Sequence, residues 1–319
     1  MTGAGPRSAL LQRVRVTAHA KLNLALAIGP VRADGYHDLA TIFQSISLAD
    51  TLTIEPVARG YTLRVRHEEA AVQGAQPRSA RAVVPAGADN LVLRAARFAS
   101  ERLGLQGGAR FTLVKRIPAQ AGMGGGSADA AAALLGLARL HGQRLTRERT
   151  IALALELGSD VPFAATGGTA YGRGRGEELT RLALDAPFRA IVVMPAWRIS
   201  TAQAFRRFDH VNYALTGWPH PPRFTSILRS RSLKALHASG LGNSFEDVLG
   251  PYRRSFESLC ARLRAAGALA PRLTGSGSGI FAVVPHGVPF GAIIGRFQGD
   301  EPLYAVRSVG RGLQFDMQQ

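Results

Sequence analysis

Hydrophobic and polar residues alternate over residues 14–28, VRVTAHAKLNLALAI. Val, Ala, Leu and Ile occupy every even-numbered position of this stretch. The positions between them carry the polar residues Arg15, Thr17, His19, Lys21 and Asn23. A period of two places successive side chains on opposite faces of a β-strand. The pattern predicts a strand with an apolar face and a polar row that ends at Lys21 and Asn23, which lie in otherwise apolar sequence.

The rest of the chain carries patterns of strands interleaved with helices. Strands are predicted at 51–55, 61–67, 110–118, 189–194 and 303–309. Helices are predicted at 89–104, 127–141, 146–157, 200–208, 231–238, 253–266 and 288–297. Asp89 and Ser127 are the expected N-caps of the first two helices. Residues 167–179 predict a glycine-rich hairpin, and 272–284 predict a Gly/Ser loop that leads into an apolar strand.

Length and composition indicate a globular chain of two domains. The 319 residues are 46% hydrophobic and 19% charged, and the pattern of elements restarts near residue 186. We therefore expect an N-terminal domain at 11–185 and a C-terminal domain at 186–319. Cys260 is the only cysteine, which excludes a disulfide within the chain. With no apolar run of 18 residues and no signal-peptide core, the expected location is the cytoplasm.

The formal charge of +17 raises the question of nucleic-acid binding. The basic residues are nearly all arginines, they are scattered along the chain, and they form no block of five or six. A basic nucleic-acid-binding module therefore stays open only as a lesser alternative. A net positive field would equally attract small anionic substrates to a cleft.

A glycine cluster stands directly before a strong helix pattern in AGMGGGSADAAAALLGLARL, residues 121–140. Glycine lets backbone N–H groups approach a ligand closely, and a helix N-terminus favours an anion, most often phosphate. There is no Gly-Lys-Ser/Thr ending as in common NTPases, and Ser127 replaces the last glycine of the dinucleotide fingerprint. The stretch predicts a phosphate loop of another type, and a flexible turn before a core helix is the alternative.

A second informative stretch is LGSDVPF, residues 157–163. Gly158 ends the preceding helix pattern, and Val161 and Pro162 are expected to prevent its continuation, so Asp160 lies near a helix C-terminus. The helix dipole favours cations there, so this carboxylate requires a partner. A capping or turn aspartate is the alternative.

Taken in order, these motifs resemble those of the GHMP kinases, which include galactokinase, homoserine kinase and mevalonate kinase. The segments AHAKLNLALAIGPVRADGYHDLATIFQSISLAD and LGSDVPF are similar to the branch of that family whose acceptor carries a cytidine diphosphate. The Asp-Gly-Tyr-His loop separates this branch from its relatives. The matching motifs span residues 18–282.

The resemblance implies an α+β (mixed α/β), two-domain GHMP kinase fold. Its N-terminal domain would be ribosomal-protein-S5-like and its C-terminal domain ferredoxin-like. It implies ATP-dependent phosphorylation of a hydroxyl group in isoprenoid precursor synthesis, with ATP and Mg²⁺. The partner would be a small cytidine-diphosphate substrate rather than nucleic acid or membrane, and the protein a monomer or weak homodimer. Another kinase of the family, of the homoserine or mevalonate type, is the alternative.

The resemblance also implies site residues. Lys21 and Asp160 would form the catalytic pair, and Ser127 would lie near the metal. ATP would be bound by Asn90, Lys115, Pro118, Ala119, Gln120, Ala121, Gly122, Met123, Gly124, Gly125, Gly126, Ser127 and Ala128. The acceptor would be bound by Asn23, Tyr36, His37, Thr201 and Phe205.

Within the acceptor site, we expect Tyr36 and Phe205 to hold the pyrimidine between their rings. His37 or nearby backbone groups would accept a hydrogen bond from the cytosine amino group.

The sequence departs from the family pattern at four places. His19 replaces a proline, Gln120-Ala121 replaces a Gly-Gly pair, Met123 replaces a leucine, and Ala128 replaces a second serine. The last change leaves Ser127 as the only hydroxyl of that pair.

Overall fold

The computed structural model describes residues 13–71, 84–184, 186–209 and 242–318. The helix predicted at 231–238 lies outside the described residues. Within them, the chain forms two β-sheets with helices packed against them. In this part of the chain, no helix is long and apolar enough to cross a membrane.

The first sheet has seven strands and is mainly antiparallel. Its main path follows the order β11-β1-β2-β4-β3, and β5 and β6 extend it from β2. The strands are β1 (Arg13–Val31), β2 (His37–Val57), β3 (Tyr61–His67), β4 (Gly108–Lys115), β5 (Thr169–Arg173), β6 (Glu178–Leu182) and β11 (Leu313–Gln318). The accompanying helices are α1 (Leu91–Leu103), α2 (Gly125–Leu140), α3 (Arg147–Leu157) and α4 (Val161–Thr166). Helix α2 packs on β1 and β2, and α1 packs against α2 and β3.

The second sheet has four antiparallel strands in the order β10-β7-β9-β8. They are β7 (Arg189–Val193), β8 (Leu269–Leu273), β9 (Ile280–Val283) and β10 (Leu303–Arg307). The helices are α5 (Thr201–Asp209), α6 (Arg253–Ala265) and α7 (Phe290–Arg296), with short 3-10 turns at Ser244–Val248 and Gly250–Tyr252. This βαββαβ order is the ferredoxin-like arrangement that the family resemblance implied.

Strand β1 joins the hydrophobic cores of the molecule. Its first residues pack into the core under α1 and α2, its middle into a core shared with β7 and β9, and its end into the core under α5 and α6. The predicted apolar face is buried throughout. The polar row is solvated only at its beginning, where Arg15 is exposed, whereas Lys21 and Asn23 are buried. Packing on both faces therefore removes these two side chains from bulk water.

Strand β2 is longer than the sequence pattern indicated, and β11 was not predicted. The predicted strand at 51–55 is only the end of β2, which is 21 residues long. Residues 40–46 of β2 are buried on both faces, so the alternation that marks a half-exposed strand is missing. Strand β11 pairs with β1, so the C-terminal segment returns to the first sheet. The division into 11–185 and 186–319 stays a prediction, and it separates the two sheets only as far as residue 312.

Two predicted N-caps are wrong. Asn90, rather than Asp89, caps α1, and its side chain accepts from the Val92 amide. Helix α2 begins at Gly125 with Gly124 as its N-cap, so Ser127 lies inside the first turn. The left-handed conformation of Gly124 ends the loop earlier than a serine cap would.

The segment after α3 does not stay irregular. Helix α3 ends at Leu157, as predicted, and Val161 and Pro162 begin a separate helix, α4, with Asp160 at its N-cap. Proline is well suited to the first turn of a helix, since its missing N–H is not needed there. Asp160 therefore lies at the junction between the end of α3 and the beginning of α4.

Candidate active site

A cleft of about 1100 Å³ opens between the two sheets. It is lined by every site residue that the resemblance implied except Ala128. Ala128 is fully buried in the core, and its amide donates to the Gly124 carbonyl within α2. Ala128 therefore offers the cleft neither a side chain nor a free N–H.

Lys21 and Asp160 meet in this cleft. The distance from Lys21 Nζ to Asp160 Oδ2 is 3.7 Å. The lysine side chain is 10% exposed and the aspartate side chain 38%, so the pair has one buried member and one that faces the open cleft. Burial lowers the pKa of Lys21, and the attraction of Asp160 offsets this only in part. Asp160 makes no capping hydrogen bond to α4, so its carboxylate is available to the cleft.

Asn23 holds Lys21 in place. Its Oδ1 accepts from Lys21 Nζ at 2.6 Å, and its Nδ2 donates to Thr41 Oγ1 at 2.8 Å. The Thr41 hydroxyl in turn donates to the carbonyl of Ala25 at 2.8 Å. Because both ends of the Asn23 amide are engaged, its clearest structural role is to orient the lysine ammonium.

The glycine loop runs along the cleft beside Lys21. Gly122 and Gly124 have φ values of 70° and 68°, in the left-handed region that side chains disfavour. A Cβ atom on Gly124 would lie 3.1 Å from Lys21 Cγ, and the Met123 carbonyl accepts from the Lys21 amide at 3.0 Å. The glycine loop and β1 are therefore in direct contact, and the 16-residue α2 begins at Gly125, directly after Gly124.

The loop at 274–279, between β8 and β9, supports the glycine loop from the other sheet. The Gly279 amide donates to Ala121 O at 3.1 Å. A Cβ on Gly122 would lie only 2.0 Å from Thr274 O, so the two backbones touch. The Thr274 hydroxyl accepts from the Asn23 amide at 3.1 Å. Thr201, in the first turn of α5, contacts the same loop through Ser276 Oγ at 2.9 Å.

Lys115 stands at the end of β4 and is already paired with two carboxylates. Its ammonium contacts Asp50 Oδ2 and lies 2.7 Å from Asp129 Oδ2. Burial raises the pKa of Asp129 to about 8, against the attraction of Lys115. Burial acts to lower the pKa of Lys115, but the two carboxylates outweigh it and raise the pKa. Lys115 lines the cleft, and its contact with ATP stays a prediction, because its charge already serves this triad.

The far end of the cleft is aromatic. The rings of His37 and Phe205 stack with centroids 5.4 Å apart, and Tyr36 is 53% exposed. His37 Nδ1 lies 2.8 Å from Gly29 O, and His37 Nε2 lies 2.7 Å from Asp209 Oδ1. Each ring nitrogen therefore already lies within hydrogen-bond distance of a protein oxygen. The expectation that the His37 ring offers an acceptor to a nucleobase therefore conflicts with this arrangement.

Arg175 lies between the aromatic end and the Lys21–Asp160 pair. It stands at the tip of the β5–β6 hairpin, with its guanidinium 4.2 Å from the centre of the Tyr36 ring. Its Nε donates to Ser159 Oγ at 3.2 Å, beside Asp160. Within the described ranges, no carboxylate forms an ion pair with it, unlike Lys21 and Lys115. Arg175 is thus a cation available to an anionic ligand in the middle of the cleft.

The sequence interpretation missed several residues of this site, namely Asp50, Asp129, Ser159, Arg175, Asp209 and Thr274. Arg175 and Thr274 lie in glycine-rich stretches, GRGRG and TGSGSG, and Ser159 lies in LGSDVPF, so these three had a local signal. Asp50, Asp129 and Asp209 stand in ordinary strand or helix sequence, and contacts between distant elements bring them to the site.

Comparison with known proteins gives consistent matches. The family model described as "GHMP kinases N terminal domain" matches residues 90–168. The model described as "GHMP kinases C terminal" matches residues 228–298. A 4-diphosphocytidyl-2-C-methyl-D-erythritol kinase of Moorella thermoacetica is 38% identical over 286 residues, which cover 89% of this chain and 95% of the relative. A kinase with the same name from Salinispora tropica is 40% identical over 271 residues, covering 83% and 81%.

Solved structures agree with these sequence matches. The crystal structure of a 4-(cytidine 5'-diphospho)-2C-methyl-D-erythritol kinase has a TM-score of 0.73 and 32% identity, covering 93% of this chain and 99% of that one. A homoserine kinase from Cytophaga hutchinsonii has a TM-score of 0.70 at 16% identity, covering 98% and 100%. At that identity, the second similarity concerns the fold alone.

Proposed function

Because the chain belongs to the 4-diphosphocytidyl-2-C-methyl-D-erythritol kinases of the GHMP family, we propose that it phosphorylates the 2-hydroxyl of 4-diphosphocytidyl-2-C-methyl-D-erythritol with ATP. The observation that carries this proposal is the Lys21–Asp160 pair, in contact with the glycine loop through Gly124. Phosphoryl transfer needs positioning and neutralisation of charge more than covalent chemistry, and this arrangement supplies both.

Asp160 is the group suited to accept the proton of the acceptor hydroxyl. Its carboxylate faces the cleft, and the ammonium of Lys21 lies 3.7 Å away. As the hydroxyl oxygen attacks the γ-phosphorus of ATP, the proton passes to Asp160 and the bond to the β,γ-bridging oxygen breaks, leaving ADP. Lys21, held by Asn23, would stabilise the negative charge on the transferring group.

The glycine loop and the N-terminus of α2 are suited to the triphosphate. Backbone N–H groups of the loop can approach phosphate oxygens closely, since the glycines there have no side chains in the way. The dipole of α2 adds a partial positive charge at the same point. Asn90 and Lys115 line the same side of the cleft and are the residues we place nearest the nucleoside.

A magnesium ion fits this site as a partner of ATP rather than as a resident of the protein. Among the described residues, no group of three or more His, Cys, Asp or Glu side chains could hold a metal ion. Mg²⁺ commonly binds through substrate phosphates with one or two protein ligands. The Ser127 hydroxyl, in the first turn of α2, is the ligand we propose, and the ion would neutralise phosphate charge.

The rest of the cleft suits the cytidine diphosphate part of the acceptor. Tyr36 and Phe205 would contact the pyrimidine, and Thr201 and Asn23 line the path towards Asp160. Arg175 stands between the two ends and carries the charge that a diphosphate requires. We propose that the enzyme acts in the cytoplasm on this small substrate, as a monomer or weak homodimer, without nucleic acid or membrane.

The test is to incubate the purified protein with ATP and Mg²⁺ and one acceptor at a time. We expect ADP release with 4-diphosphocytidyl-2-C-methyl-D-erythritol and none above background with homoserine or mevalonate. Phosphorus NMR of the product should show a new monoester at the 2-position. ADP release driven by homoserine or mevalonate, but not by the cytidine compound, would contradict the proposal.

A further inference from the structure

Asp50 is a buried carboxylate at the point where two strands of the first sheet separate. Strands β2 and β4 pair in antiparallel register as far as Thr51 and Val114, so Asp50 is the next residue of β2. Beyond this point the chain of β4 leaves the sheet and enters the segment 116–124, which leads to α2. The first amides of that segment have no strand partner in β2. Buried amides still require acceptors, and the side chain of Asp50 supplies them.

The carboxylate holds the entry of this segment through three donors. Its Oδ1 accepts from the Arg116 amide at 2.6 Å and from the Ile117 amide at 2.9 Å. Its Oδ2 accepts from the ammonium of Lys115. Asp50 is fully buried and does not line the cleft, so it does not contact a ligand bound there. A carboxylate is suited to this position because both of its oxygens accept hydrogen bonds and neither donates.

The same contacts reach the exit of the segment, where α2 begins. Lys115 Nζ lies 2.7 Å from Oδ2 of Asp129, in the second turn of α2. A Cβ atom on Gly125, the first residue of α2, would lie 3.2 Å from Lys115 Nζ and 3.0 Å from Ile117 Cγ2. The entry and the exit of the segment 116–124 are therefore packed against each other. The buried carboxylate fixes the entry, and through the lysine it also fixes the exit.

We infer that Asp50 is a positioning residue for ATP, which sets the geometry of the phosphate loop without contacting the nucleotide. This inference rests on the proposed function, which assigns the triphosphate to that loop. Hydrogen bonds from backbone N–H groups weaken steeply away from their preferred distance and angle, so a displaced loop binds phosphate less well. The acceptor half of the cleft is lined by other elements, at Tyr36, Arg175 and Phe205, and should not respond.

The test is Asp50→Asn, which keeps the size of the side chain but replaces one oxygen with an NH2 group. Whichever way the amide turns, a donor then faces either the Lys115 ammonium or the two backbone amides. We expect a non-hydrolysable ATP analogue to bind at least about tenfold more weakly in calorimetry, the loss expected from one hydrogen bond to a charged group. Binding of cytidine 5′-diphosphate, the probe for the acceptor half, should change less than about twofold, because distant sites respond independently.

The matched control is Glu55→Gln, on the same strand. Glu55 lies beside Arg110 of β4 and does not line the cleft. It should bind both probes as the wild type does. A purely structural role of Asp50 would lower the Tm and the fraction of active protein, but it would leave the affinity of the folded molecules unchanged. The calorimetric stoichiometry and the dissociation constant separate these two effects.

Hydrogen exchange of the wild type tests the contact even if Asp50→Asn does not fold. The amides of Arg116 and Ile117 should exchange at least about tenfold more slowly than the amide of Gln120, an exposed residue of the same segment. Equal exchange rates at the three amides would show that the carboxylate does not hold the entry of the loop, and would overturn the inference.

Three binding results would also overturn it. They are wild-type affinity for the ATP analogue in folded Asp50→Asn, equal weakening of both probes, and tighter binding of the analogue, which would make Lys115 a phosphate ligand that Asp50 withholds. None of these results depends on phosphorylation of an acceptor. Failure of the kinase assay would instead contradict the proposed function and leave the comparison of nucleotide affinities intact.

Discussion

At the scale of single residues, Asp160 has the placement that a general base requires. It is exposed enough to reach a hydroxyl, it has a buried ammonium at 3.7 Å, and it makes no capping bond to α4. We therefore expect Asp160→Asn to lower kcat by about 10²–10⁴-fold while the affinity for ATP stays nearly unchanged. Single-turnover kinetics and calorimetry with an ATP analogue measure the two quantities.

The matched control for Asp160 is Glu156→Gln. Glu156 lies four residues earlier on α3 and pairs with Arg102 away from the cleft. It should keep wild-type turnover. If Asp160→Asn retains more than about a tenth of the wild-type kcat, another group accepts the proton.

Arg175 is the second residue for which the structure allows a specific expectation. A charged hydrogen bond to a phosphate contributes about 1.5–3 kcal/mol, and the lower end suits a partly exposed group. Arg175→Gln should therefore raise the KM of the cytidine substrate about tenfold and change the KM of ATP little. Steady-state kinetics with each substrate varied in turn will measure both values.

The control for this change is Arg173→Gln, on the same hairpin. Arg173 is exposed and pairs with Glu178, and it does not line the cleft. Its kinetics should match the wild type. A larger effect of Arg175→Gln on the KM of ATP than on that of the acceptor would place its charge at the triphosphate instead.

At the scale of elements, the glycine loop couples α2 to the catalytic strand. Gly124 ends the loop in a left-handed conformation, and a Cβ atom there would press on the side chain of Lys21. That conformation costs an alanine roughly 1 kcal/mol or more compared with glycine. Gly124→Ala should therefore weaken binding of an ATP analogue about tenfold and also lower kcat.

The comparison variant is Gly295→Ala in α7. A Cβ atom at Gly295 has open space around it, and the residue lies inside a helix far from the loop. This variant should bind nucleotide as the wild type does. If Gly124→Ala binds the analogue with wild-type affinity, the loop would be a flexible turn rather than a phosphate site.

At the scale of the whole molecule, Glu246 connects the second domain to the cleft. Its Oε1 accepts from the Leu273 amide at 2.8 Å, directly before the loop that supports the glycine loop. Asn243 binds the carbonyls of Leu273 and Gly275 from the same turn. Burial raises the pKa of Glu246 from 4.5 to about 7. In the folded protein, the neutral form of this carboxyl is therefore favoured below about pH 7.

The pH dependence of stability follows from this shift. Between pH 4.5 and about 7 the folded protein binds more protons than the unfolded chain. The free energy of unfolding therefore falls as the pH rises through this window, by up to about 1.4 kcal/mol per pH unit from this group. Glu246→Gln, which keeps an acceptor for Leu273, should flatten the dependence.

Urea unfolding at pH 5 and pH 8 will measure the effect, with Glu257→Gln on the exposed face of α6 as the control. The control should follow the wild type. Equal pH dependence in Glu246→Gln and the wild type would show that Glu246 titrates normally in the folded protein.

Local patterns in the sequence were sufficient to predict many elements of this protein. The alternation in β1, the glycine loop before α2, the end of α3 at Gly158 and the β5–β6 hairpin each depend on the preferences of neighbouring residues. The ordered motifs also indicated the family and the Lys21–Asp160 pair. Such features are encoded within a few turns of the chain, so they can be recognised without the fold.

The full length of β2 and the side-chain contacts in the cleft depend on packing between distant elements. Both faces of β2 are covered, which removes the alternation that would have revealed its full length. Asp209 reaches His37 over 172 positions and Thr274 reaches Asn23 over 251, so no local pattern could connect them. The sequence determines which side chains are present. Which oxygen atoms face His37, and hence which hydrogen bonds its ring can make, depends on how the two sheets meet around the cleft.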